Sequence, residues 1–450
     1  MPQPNALLPP AAVVEIAERL RKHGHSAWAV GGAVRDALLG VGHGDWDLAT
    51  DARPEEVRRI FRRTVPIGIE HGTVGVLARD GVMYEVTTFR RDVETFGRHA
   101  VVAFADTIEE DLSRRDFTIN AIAWNPLDDS LLDPHGGLQD LESRRLRTVG
   151  HAPDRIAEDY LRVLRALRFA GHYDLEIDSE TWAAICAAVP QLHLLSAERV
   201  REELSKVLAR TRRASTSLEL YAKSGVLVAL FPELAATRGV EVPNTGADAW
   251  AFALAATDAV SPRHVLLRYA ALLHAVGLPI ARTRDPLRGG WRVTGHETIG
   301  ARKAEDVMRR LRSSNADTER VVSLVMRQSD LFPPDAPDAG IRRWLADVGP
   351  GLVHDLFRLR IAFYRAHPVK RGERDLLERW QKAHRVMLAH PVLTLDGLAI
   401  DGDDLKQLGL VPGPRFGEIL RVLLARVIDT PELNTRAALL ERIRIEGLDT

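Results

Sequence analysis

The sequence predicts an α/β head, built on a mixed β-sheet flanked by helices, followed by an all-α neck, body and tail. Short apolar and β-branched runs alternate with helical patterns over the first 150 residues, whereas from Asp154 onward a helical pattern rich in Leu, Ala, Arg and Glu dominates. A chain of 450 residues also exceeds the usual size of one core. We therefore predict a head over residues 1–150, a neck over 151–235, a body over 236–390 and a tail over 391–450.

The elements of the head follow from local sequence patterns. Amphipathic spacing predicts helices, alternation of apolar and polar residues predicts strands, and glycines mark where elements end. The predicted helices are residues 11–22 and 34–39, and the predicted strands are residues 25–30, 46–49, 73–78 and 83–89. Residues 90–105 have no clear period and carry Arg90, Arg91, Arg98 and His99, so we predict a mobile basic loop there.

The composition is that of an ordinary globular protein, with 45% hydrophobic and 27% charged residues. Cys186 is the only cysteine, which excludes an internal disulfide framework and a cysteine-based metal cluster and fits a reducing cytoplasm. The N-terminus lacks the features of a signal peptide, and no apolar run approaches the ~18 residues of a membrane span. We therefore predict a cytoplasmic location, no membrane partner and no stable protein partner.

The segment Asp45-Trp46-Asp47-Leu48 places two carboxylates at alternate positions of a predicted strand, so both point to one face. Two carboxylates on one face repel each other unless a cation lies between them, and Mg²⁺ prefers carboxylate oxygens. We predict that Asp45 and Asp47 are catalytic residues and ligands of Mg²⁺. Glu85, in a neighbouring strand, is a third candidate by position alone. The alternative for an Asp-x-Asp pair is a solvated turn or a helix cap.

A glycine turn precedes these carboxylates. Gly31 and Gly32 end a predicted strand and lead into a helix, where backbone N–H groups can approach a phosphate with no Cβ in the way. We predict that Gly32, through its N–H, and Arg35, through a bidentate contact, hold a triphosphate. Asp36 is expected to cap or brace the turn. A phosphate cradle beside a divalent-metal site is typical of phosphoryl or nucleotidyl transfer.

Four segments follow one another along the first half of the chain. They are residues 31–50 (GGAVRDALLGVGHGDWDLAT), 114–123 (RRDFTINAIA), 133–141 (DPHGGLQDL) and 158–170 (EDYLRVLRALRFA). In this order they resemble the motifs of the class II tRNA nucleotidyltransferase and bacterial poly(A) polymerase family. The resemblance is strong over the first half of the chain and weak over the second. It implies two-metal transfer of nucleotides to the 3′ end of an RNA by a nucleotidyltransferase head.

The resemblance also implies roles for further residues. The second segment lies beside the nucleotide in the family, which implies that Arg115 or Arg114 contacts phosphate or ribose. Asp116 and Asn120 would then orient the arginine and the sugar. The alternative is a surface arginine pair ahead of an apolar strand. Residues 90–105 correspond to the family's flexible loop, which is implied in switching from C addition to A addition.

The helix predicted over residues 158–170 carries Asp159, Arg162, Arg165 and Arg168 at steps of three, so they form one ridge. An Asp–Arg pair can read the amino group and ring acceptor that cytosine and adenine share. Guanine and uracil present a carbonyl and a ring N–H instead, so such a pair could admit CTP and ATP and reject GTP and UTP. The resemblance implies this role for Asp159 and Arg162, while Arg165 and Arg168 bind phosphate or brace the site. The alternative is an amphipathic helix with exposed salt bridges.

These inferences predict a tRNA nucleotidyltransferase that adds CCA from CTP and ATP without a nucleic-acid template. Alternatives of the same class are a CC-adding enzyme, an A-adding enzyme and a poly(A) polymerase. Because the net charge is −1, tRNA would be held by local basic patches. The arginines of residues 199–213 and 301–312 are candidates for such patches.

Two further classes of function are alternatives. Residues 272–277, followed by His296, resemble an HD-type metal phosphohydrolase, but Ala275 stands where that family has a metal-binding aspartate. Because alanine cannot coordinate a metal, we expect a degenerate HD-like region. The other alternative is a non-catalytic RNA-binding protein. It is disfavoured because Asp45 and Asp47 would be costly to hold together without a metal.

Overall fold

A computed structural model describes residues 7–42, 45–68, 72–96, 99–242, 246–284, 291–367 and 372–448. The chain divides into two compact units, residues 1–232 and 233–450. The first unit contains the head and the helices that follow it, and the second is almost entirely helical. The predicted fold class is therefore confirmed. The finer division into neck, body and tail stays a prediction.

Among its described residues up to Leu132, the head contains nine strands. In chain order they are β1 (Ala27–Val30), β2 (Asp47–Thr50), β3 (Thr64–Gly68), β4 (Thr73–Leu77), β5 (Met83–Thr88), β6 (Arg90–Phe96), β7 (His99–Phe104), β8 (Ala123–Trp124) and β9 (Leu131–Leu132). All except β6 and β7 form one sheet in the order β3-β4-β5-β2-β1-β8-β9. In that sheet β2 and β5 run parallel and the other neighbours are antiparallel, so the sheet is mixed, as predicted.

Helices flank this sheet and continue after it in the first unit. In chain order they are α1 (Ala11–Lys22), α2 (Gly32–Leu38), α3 (Pro54–Ile60), α4 (Ile108–Ser113), α5 (Gly137–Glu142), α6 (Ala152–Glu158), α7 (Leu161–Tyr173), α8 (Ser179–Ala188), α9 (Ala197–Arg210), α10 (Ala214–Ser224) and α11 (Val226–Leu230). Two short strands, β10 (Arg145–Leu146) and β11 (Glu176–Ile177), pair in parallel beside them. The helix predicted over residues 11–22 is confirmed as α1.

The described residues of the second unit form helices and one hairpin. After α12 (Pro232–Ala235), which spans the boundary, the helices are α13 (Ala249–Ala259), α14 (Val265–Leu273), α15 (Leu278–Ala281), α16 (His296–Arg310), α17 (Asn315–Met326), α18 (Asp338–Val348), α19 (Pro350–Ala366), α20 (Glu373–Leu388), α21 (Gly402–Gln407), α22 (Pro414–Asp429) and α23 (Arg436–Ile445). The hairpin pairs β12 (Arg282–Arg284) with β13 (Trp291–Val293). Within the described ranges, no helix is both long enough and apolar enough to cross a membrane.

The prediction of a basic loop over residues 90–105 was wrong. The chain instead forms the antiparallel hairpin of β6 and β7, which pairs from Arg90 opposite Phe104 to Phe96 opposite His99. A register shift between Asp92 and Glu94 interrupts the ladder. An extra residue in one strand interrupts the two-residue period, so the sequence pattern did not predict this hairpin. Arg98 lies outside the described residues.

The single helix predicted over residues 158–170 is also wrong at its start. Helix α6 ends at Glu158 and α7 begins at Leu161, and Asp159 between them has an extended backbone with φ of −154° and ψ of 105°. The Asp159 carboxylate accepts a hydrogen bond from the N–H of Leu161 at 3.0 Å. Asp159 therefore lies before the first turn of α7 instead of on a continuous ridge with the three arginines.

Candidate active site

One cavity in the first unit gathers most of the residues that the sequence singled out. It has a volume of about 550 Å³ and is walled by the glycine turn, β2, β5, the segment after α4, and helices α7 and α9. Every predicted site residue except Asp45 lines it, namely Gly32, Arg35, Asp47, Glu85, Arg114, Arg115, Asp116, Asn120, Asp159, Arg162, Arg165 and Arg168. Asp45 is exposed and lies two residues before the first residue of β2.

The predicted catalytic carboxylates come from neighbouring strands. Because β2 and β5 pair in parallel, Asp47 lies at the level of Glu85 on the adjacent strand. Burial and the nearby carboxylate of Glu85 raise the pKa of Asp47 to about 6, with a smaller contribution from Asp45 and an opposing one from Arg115. Negative charge therefore accumulates at this edge of the cavity when all three acids are ionised.

This cluster of acids fits a divalent cation in its chemistry. Burial and, after it, repulsion from Glu85 raise the pKa of Asp47. A bound cation would relieve that repulsion, and carboxylate oxygens are the ligands that Mg²⁺ prefers. Trp46 is 2% exposed and belongs to the core, whereas Asp45 on one side of it is exposed and Asp47 on the other side is half-buried. In the described part of the chain, no three His, Cys, Asp or Glu side chains are close enough to share one metal ion. Metal binding by Asp45 and Asp47 therefore stays a prediction.

The glycine turn needs a glycine at Gly31 for two reasons. Its φ is +75°, a backbone conformation that residues with a side chain rarely adopt. A Cβ there would also lie 3.0 Å from a terminal nitrogen of Arg115. Gly32 follows as the first residue of α2 and lines the cavity. The backbone of the predicted phosphate cradle thus lies at the cavity wall, beside a predicted phosphate-binding arginine.

Arg35 is buried and fully engaged in a network. Its side chain is 7% exposed and donates to Asp36 at 2.7 Å, to Asn120 at 2.5 Å and to the hydroxyl of Tyr173 at 2.6 Å. The rings of Phe169 and Tyr173 lie 4.9 and 4.5 Å from its guanidinium carbon. The Tyr173 hydroxyl in turn donates to Asp36. Arg35 therefore ties the glycine turn to α7, and its direct contact with phosphate stays a prediction.

Sequence reasoning missed a buried acid that holds the two adjacent arginines. Asp111 in α4 is 1% exposed and accepts from Arg114 at 3.1 Å and from Arg115 at 3.0 Å. Burial opposes its ionisation, but the two arginines prevail and hold the pKa of Asp111 below its ordinary value. Because the chain turns at the end of α4, both arginines reach the cavity, which adjacent residues of a strand would not do.

Asp116 organises the next part of the wall. Its buried carboxylate accepts from Arg165 at 2.7 Å and from the side-chain amide of Asn120 at 2.9 Å. Burial raises its pKa, but Arg165 and Asn120 outweigh burial and lower the pKa of Asp116 to about 2. Asp116 is therefore an anion at neutral pH, and its partner Arg165 is held in place on α7.

We expect Asp116→Asn to make the stability of the protein less sensitive to acid. The folded pKa of about 2 lies below the ordinary value of 3.8, so the ionised carboxylate stabilises the fold fully above pH 3.8 and loses this contribution as the pH falls toward 2. The contribution amounts to about 2 kcal/mol at neutral pH. Urea unfolding across this pH range, with the exposed Asp106→Asn as control, checks it. An unchanged pH dependence in the Asp116 variant would contradict the assignment.

The predicted base-reading pair lies at the cavity wall with other partners. Asp159 accepts from Arg199 at 2.6 Å. Arg162 donates to the carboxylate of Glu158 and, at 2.6 Å, to the backbone carbonyl of Arg155. Both side chains are half-buried, so water still reaches them. A base that hydrogen-bonds to the pair would have to share or replace Arg199 and Glu158.

Helix α9 supplies residues that sequence reasoning also missed. Glu203 is 1% exposed and accepts from Arg168 at 2.6 Å and from Lys206 at 2.9 Å. Burial raises its pKa, but Arg168 outweighs burial and lowers the pKa of Glu203 overall. Arg168 thus braces α7 against α9. The helical spacing of Glu203, Lys206 and Arg210 could have indicated this face, because residues three and four apart are neighbours on a helix.

Basic side chains dominate the cavity wall. Nine arginine and lysine side chains line it against five aspartate and glutamate side chains. This excess of positive charge favours the binding of a polyanion in the cavity. The cavity therefore combines an acidic edge suited to a metal with a basic interior suited to a triphosphate.

The HD-like region of the second unit holds a histidine in apolar surroundings. His274 packs against Phe252 and Phe363, with ring centroids 5.4 and 4.5 Å away, and burial lowers its pKa to about 4. One ring nitrogen lies 2.7 Å from the carbonyl of Ala271. Ala275 is fully buried in a small apolar cluster. These contacts are those of a core histidine.

Named proteins match almost the whole chain. The family model of the poly A polymerase head domain matches residues 27–147, and that of the probable RNA and SrmB-binding site of polymerase A matches residues 174–237. The CCA-adding enzyme of Anoxybacillus flavithermus is 34% identical over 431 residues, covering 95% of this chain and 95% of that protein. The chain belongs to the CCA-adding enzyme family.

Other members of the CCA-adding enzyme family agree with this assignment. The CCA-adding enzyme of Geobacillus stearothermophilus is 33% identical, covering 95% of this chain and 96% of that protein. The solved structure of the Bacillus stearothermophilus CCA-adding enzyme in complex with CTP has a TM-score of 0.74 and 30% identity, covering 98% of this chain and 100% of that one. The predicted family is therefore confirmed. The chain is a nucleotidyltransferase of a family that uses a divalent metal.

Proposed function

We propose that this protein is a tRNA nucleotidyltransferase that adds CCA to the 3′ end of tRNA from CTP and ATP without a nucleic-acid template. The observation that carries the proposal is one cavity lined by catalytic-type carboxylates, an excess of basic side chains and the Asp159–Arg162 pair. Transfer requires the first two features, and choice of nucleotide requires the third. The names of relatives that match 95% of the chain support the same activity.

The proposed metal is Mg²⁺, held by Asp45 and Asp47 with Glu85 as a third acid. Their hard oxygen donors and the raised pKa of Asp47 support this choice. When bound, Mg²⁺ supplies activation of the attacking 3′-hydroxyl and neutralises charge on the triphosphate and the leaving pyrophosphate. The buried Trp46 fixes the chain between the two aspartates, so their spacing is set by the fold.

The triphosphate is proposed to lie against Gly32, Arg114 and Arg115. Asp111 fixes both arginines before the nucleotide arrives, so little side-chain freedom is lost on binding. Arg35 supports this arrangement by bracing the turn that presents Gly32. In this proposal Arg165 and Arg168 act mainly as braces, through their ion pairs with Asp116 and Glu203.

The nucleotide base is proposed to meet Asp159 and Arg162. Asp159 accepts from the exocyclic amino group, and Arg162 donates to the neighbouring ring nitrogen. In the free protein Arg199 and Glu158 engage these groups, which keeps their charges paired until the base arrives. Guanine and uracil would leave buried donors and acceptors unmatched, and this mismatch disfavours them.

The test is incorporation of labelled CTP and ATP, separately and together, into tRNA transcripts that end before CCA, after C and after CC. We expect addition of C, C and A followed by a stop, in Mg²⁺ and not in excess chelator. C addition alone would indicate a CC-adding enzyme, and A addition to the CC end alone an A-adding enzyme. A long A ladder would indicate a poly(A) polymerase. No incorporation on any transcript would overturn the proposal.

We propose that the protein works in the cytoplasm, in keeping with a tRNA substrate and one free cysteine. The neck over 151–235, the body over 236–390 and the tail over 391–450 remain part of the proposal. The tail is supported by an apolar cluster whose buried residues lie between Ile400 and Ile443, with partly buried residues from Val392 to Leu448 packed against it. Basic patches at 199–213 and 301–312 are proposed to hold the tRNA.

A further inference from the structure

We propose that an exposed apolar platform on the head sheet binds the base of the tRNA's 3′-terminal nucleotide, whose hydroxyl attacks the incoming triphosphate. The platform consists of Val65 and Ile67 in β3, Gly75 in β4 and Met83 in β5. The inference rests on the proposed function, because it locates the second substrate of the same site.

The platform is continuous with the carboxylates along the sheet. Val65 lies opposite Gly75, and Gly75 lies opposite Glu85, so these three residues share one face. On the other side of Glu85, β2 brings Asp47 to the same level. Adjacent strands lie about 4.8 Å apart, so the platform begins one strand away from the proposed metal ligands.

The platform is a solvent-exposed surface, and two of its side chains cover Gly75. A Cβ on Gly75 would come within 2.6 Å of Cδ1 of Ile67 and within 2.9 Å of Sδ of Met83, so these two side chains meet over the glycine. Val65 is 44% exposed, Ile67 is 40% exposed and Met83 is 48% exposed. Single exposed apolar residues are ordinary, whereas a group of them beside an active site is a candidate binding surface.

The reaction needs two nucleotides beside the carboxylates, and this need indicates which of them the platform binds. The cavity, with its basic side chains and the Asp159–Arg162 pair, suits the incoming nucleotide. The four platform residues, all within the described ranges, are not part of the cavity wall. The attacking hydroxyl must also lie beside the carboxylates, and the platform is an exposed apolar surface that flanks them outside the cavity. A flat base can cover apolar side chains with its π-face, and every base offers such a face.

Tolerance of the base is what the proposed reaction requires at this position. The 3′-terminal base is the tRNA's own last base before the first addition and cytosine before the second and third, so a site that read hydrogen-bonding groups would accept one of these ends and reject the other. Apolar contact with Ile67 and Met83 does not distinguish the bases in this way. The sulfur of Met83 is also polarisable and adapts its shape to differently sized rings.

The double variant Ile67→Ser/Met83→Ser tests the platform by kinetics. We expect the KM for tRNA ending before CCA to rise about five- to tenfold, whereas the KM for CTP changes less than about twofold. Val82→Ser is the matched control, because Val82 is a 50% exposed apolar residue next to Met83 that is not part of the platform. An unchanged KM for tRNA, or an equal rise for tRNA and CTP, would overturn the proposal.

A measurement on the wild-type protein keeps the proposal testable if the double variant does not fold. A tRNA transcript with 4-thiouridine as its 3′-terminal nucleotide is irradiated on the protein, and the crosslinked peptide is identified by mass spectrometry. We expect crosslinks to β3 or β5, at or beside Ile67 or Met83. Normal extension of tRNA with crosslinks only elsewhere, or with none, would reject the platform alone. Failure to extend any tRNA would instead reject the proposed function.

Discussion

Asp47→Asn and Asp45→Ala are each expected to lower nucleotide addition about 10³-fold or more without unfolding the head. Both changes remove a proposed metal ligand, and the charge that develops on the transferred phosphate is then no longer neutralised. The measurement is the initial rate of labelled CTP incorporation into tRNA at saturating Mg²⁺. Asp106→Asn is the matched control, because its side chain is 92% exposed on the same unit and forms a long ion pair with Arg53, at 3.7 Å.

Asp47→Asn should also stabilise the metal-free protein. This effect on stability distinguishes the loss of a metal ligand from damage to the fold. The pKa of Asp47 is raised from 3.8 to about 6, so the folded state holds the proton more tightly than the unfolded state. Stability therefore falls as the pH rises from 3.8 to 6, and the full cost is present above pH 6. Asp47→Asn removes a cost of at most about 3 kcal/mol at neutral pH.

Thermal unfolding in chelator at neutral pH and near pH 4 measures this effect. We expect Asp47→Asn to unfold at a higher temperature than the wild type at neutral pH, and the difference to shrink near pH 4. Added Mg²⁺ should stabilise the wild type and have little effect on the variant, because binding to the folded state alone shifts the equilibrium. A variant that is fully active, or that loses stability at neutral pH, would contradict the metal-site assignment.

Local patterns were sufficient for the parts of the site that lie on single elements. Gly31 needed only its place between a strand and a helix, and the carboxylates of Asp45 and Asp47 needed only the alternation of a strand. The strand carrying Asp47 begins at that residue, so Asp45 lies before it, yet the buried Trp46 preserves the alternation. Period and turn chemistry are encoded within a few residues, which is why the sequence could place the glycine turn and the two aspartates near each other. The roles of Asp45 and Asp47 in metal binding stay predictions.

Residues whose role depends on distant partners could not be predicted in the same way. Asp111 and Glu203 look like ordinary charged positions of amphipathic helices, and each becomes buried because arginines neutralise it. Arg168 lies 35 positions before Glu203, and Tyr173 lies 138 positions after Arg35. One sequence does not reveal such pairs, because the packing of several elements decides which charges meet.

The break between α6 and α7 has the same origin. Neither glycine nor proline interrupts residues 158–170, so propensity favours one helix. The structure instead turns at Asp159, whose carboxylate bonds to Arg199 on α9. A long-range ion pair and a local cap together outweigh helix propensity at two residues. The helix is interrupted at Asp159, the residue predicted to read the base. Functional sites are where local propensity most often fails to predict the structure.

Asp159→Ala is expected to relax base choice so that UTP and GTP are incorporated. The carboxylate of Asp159 favours the amino groups of cytosine and adenine and repels the carbonyls that uracil and guanine present at the same position. Removing it eliminates that repulsion, and we expect the preference for CTP over UTP to fall about 10- to 100-fold. The preference is measured as the ratio of kcat/KM values on tRNA ending before CCA.

The fold should tolerate this substitution, so the effect on selectivity can be read directly. The side chain of Asp159 is 28% exposed and that of Arg199 is 31% exposed, so water can solvate Arg199 after its partner is removed. Asp154→Ala is the matched control on α6, because its side chain is 81% exposed and pairs with His151. We expect this control to keep the wild-type preference.

Arg162 is expected to preserve part of the preference for CTP when Asp159 is replaced. With Asp159 absent, Arg162 still donates to the ring nitrogen and still favours a base with an acceptor there, so some preference for CTP over UTP should remain. Arg162→Ala in the same background should remove the remainder, because no charged group would then face the ring. A wild-type CTP to UTP ratio in Asp159→Ala would exclude this residue from base reading. Selectivity would then have to come from the shape of the cavity.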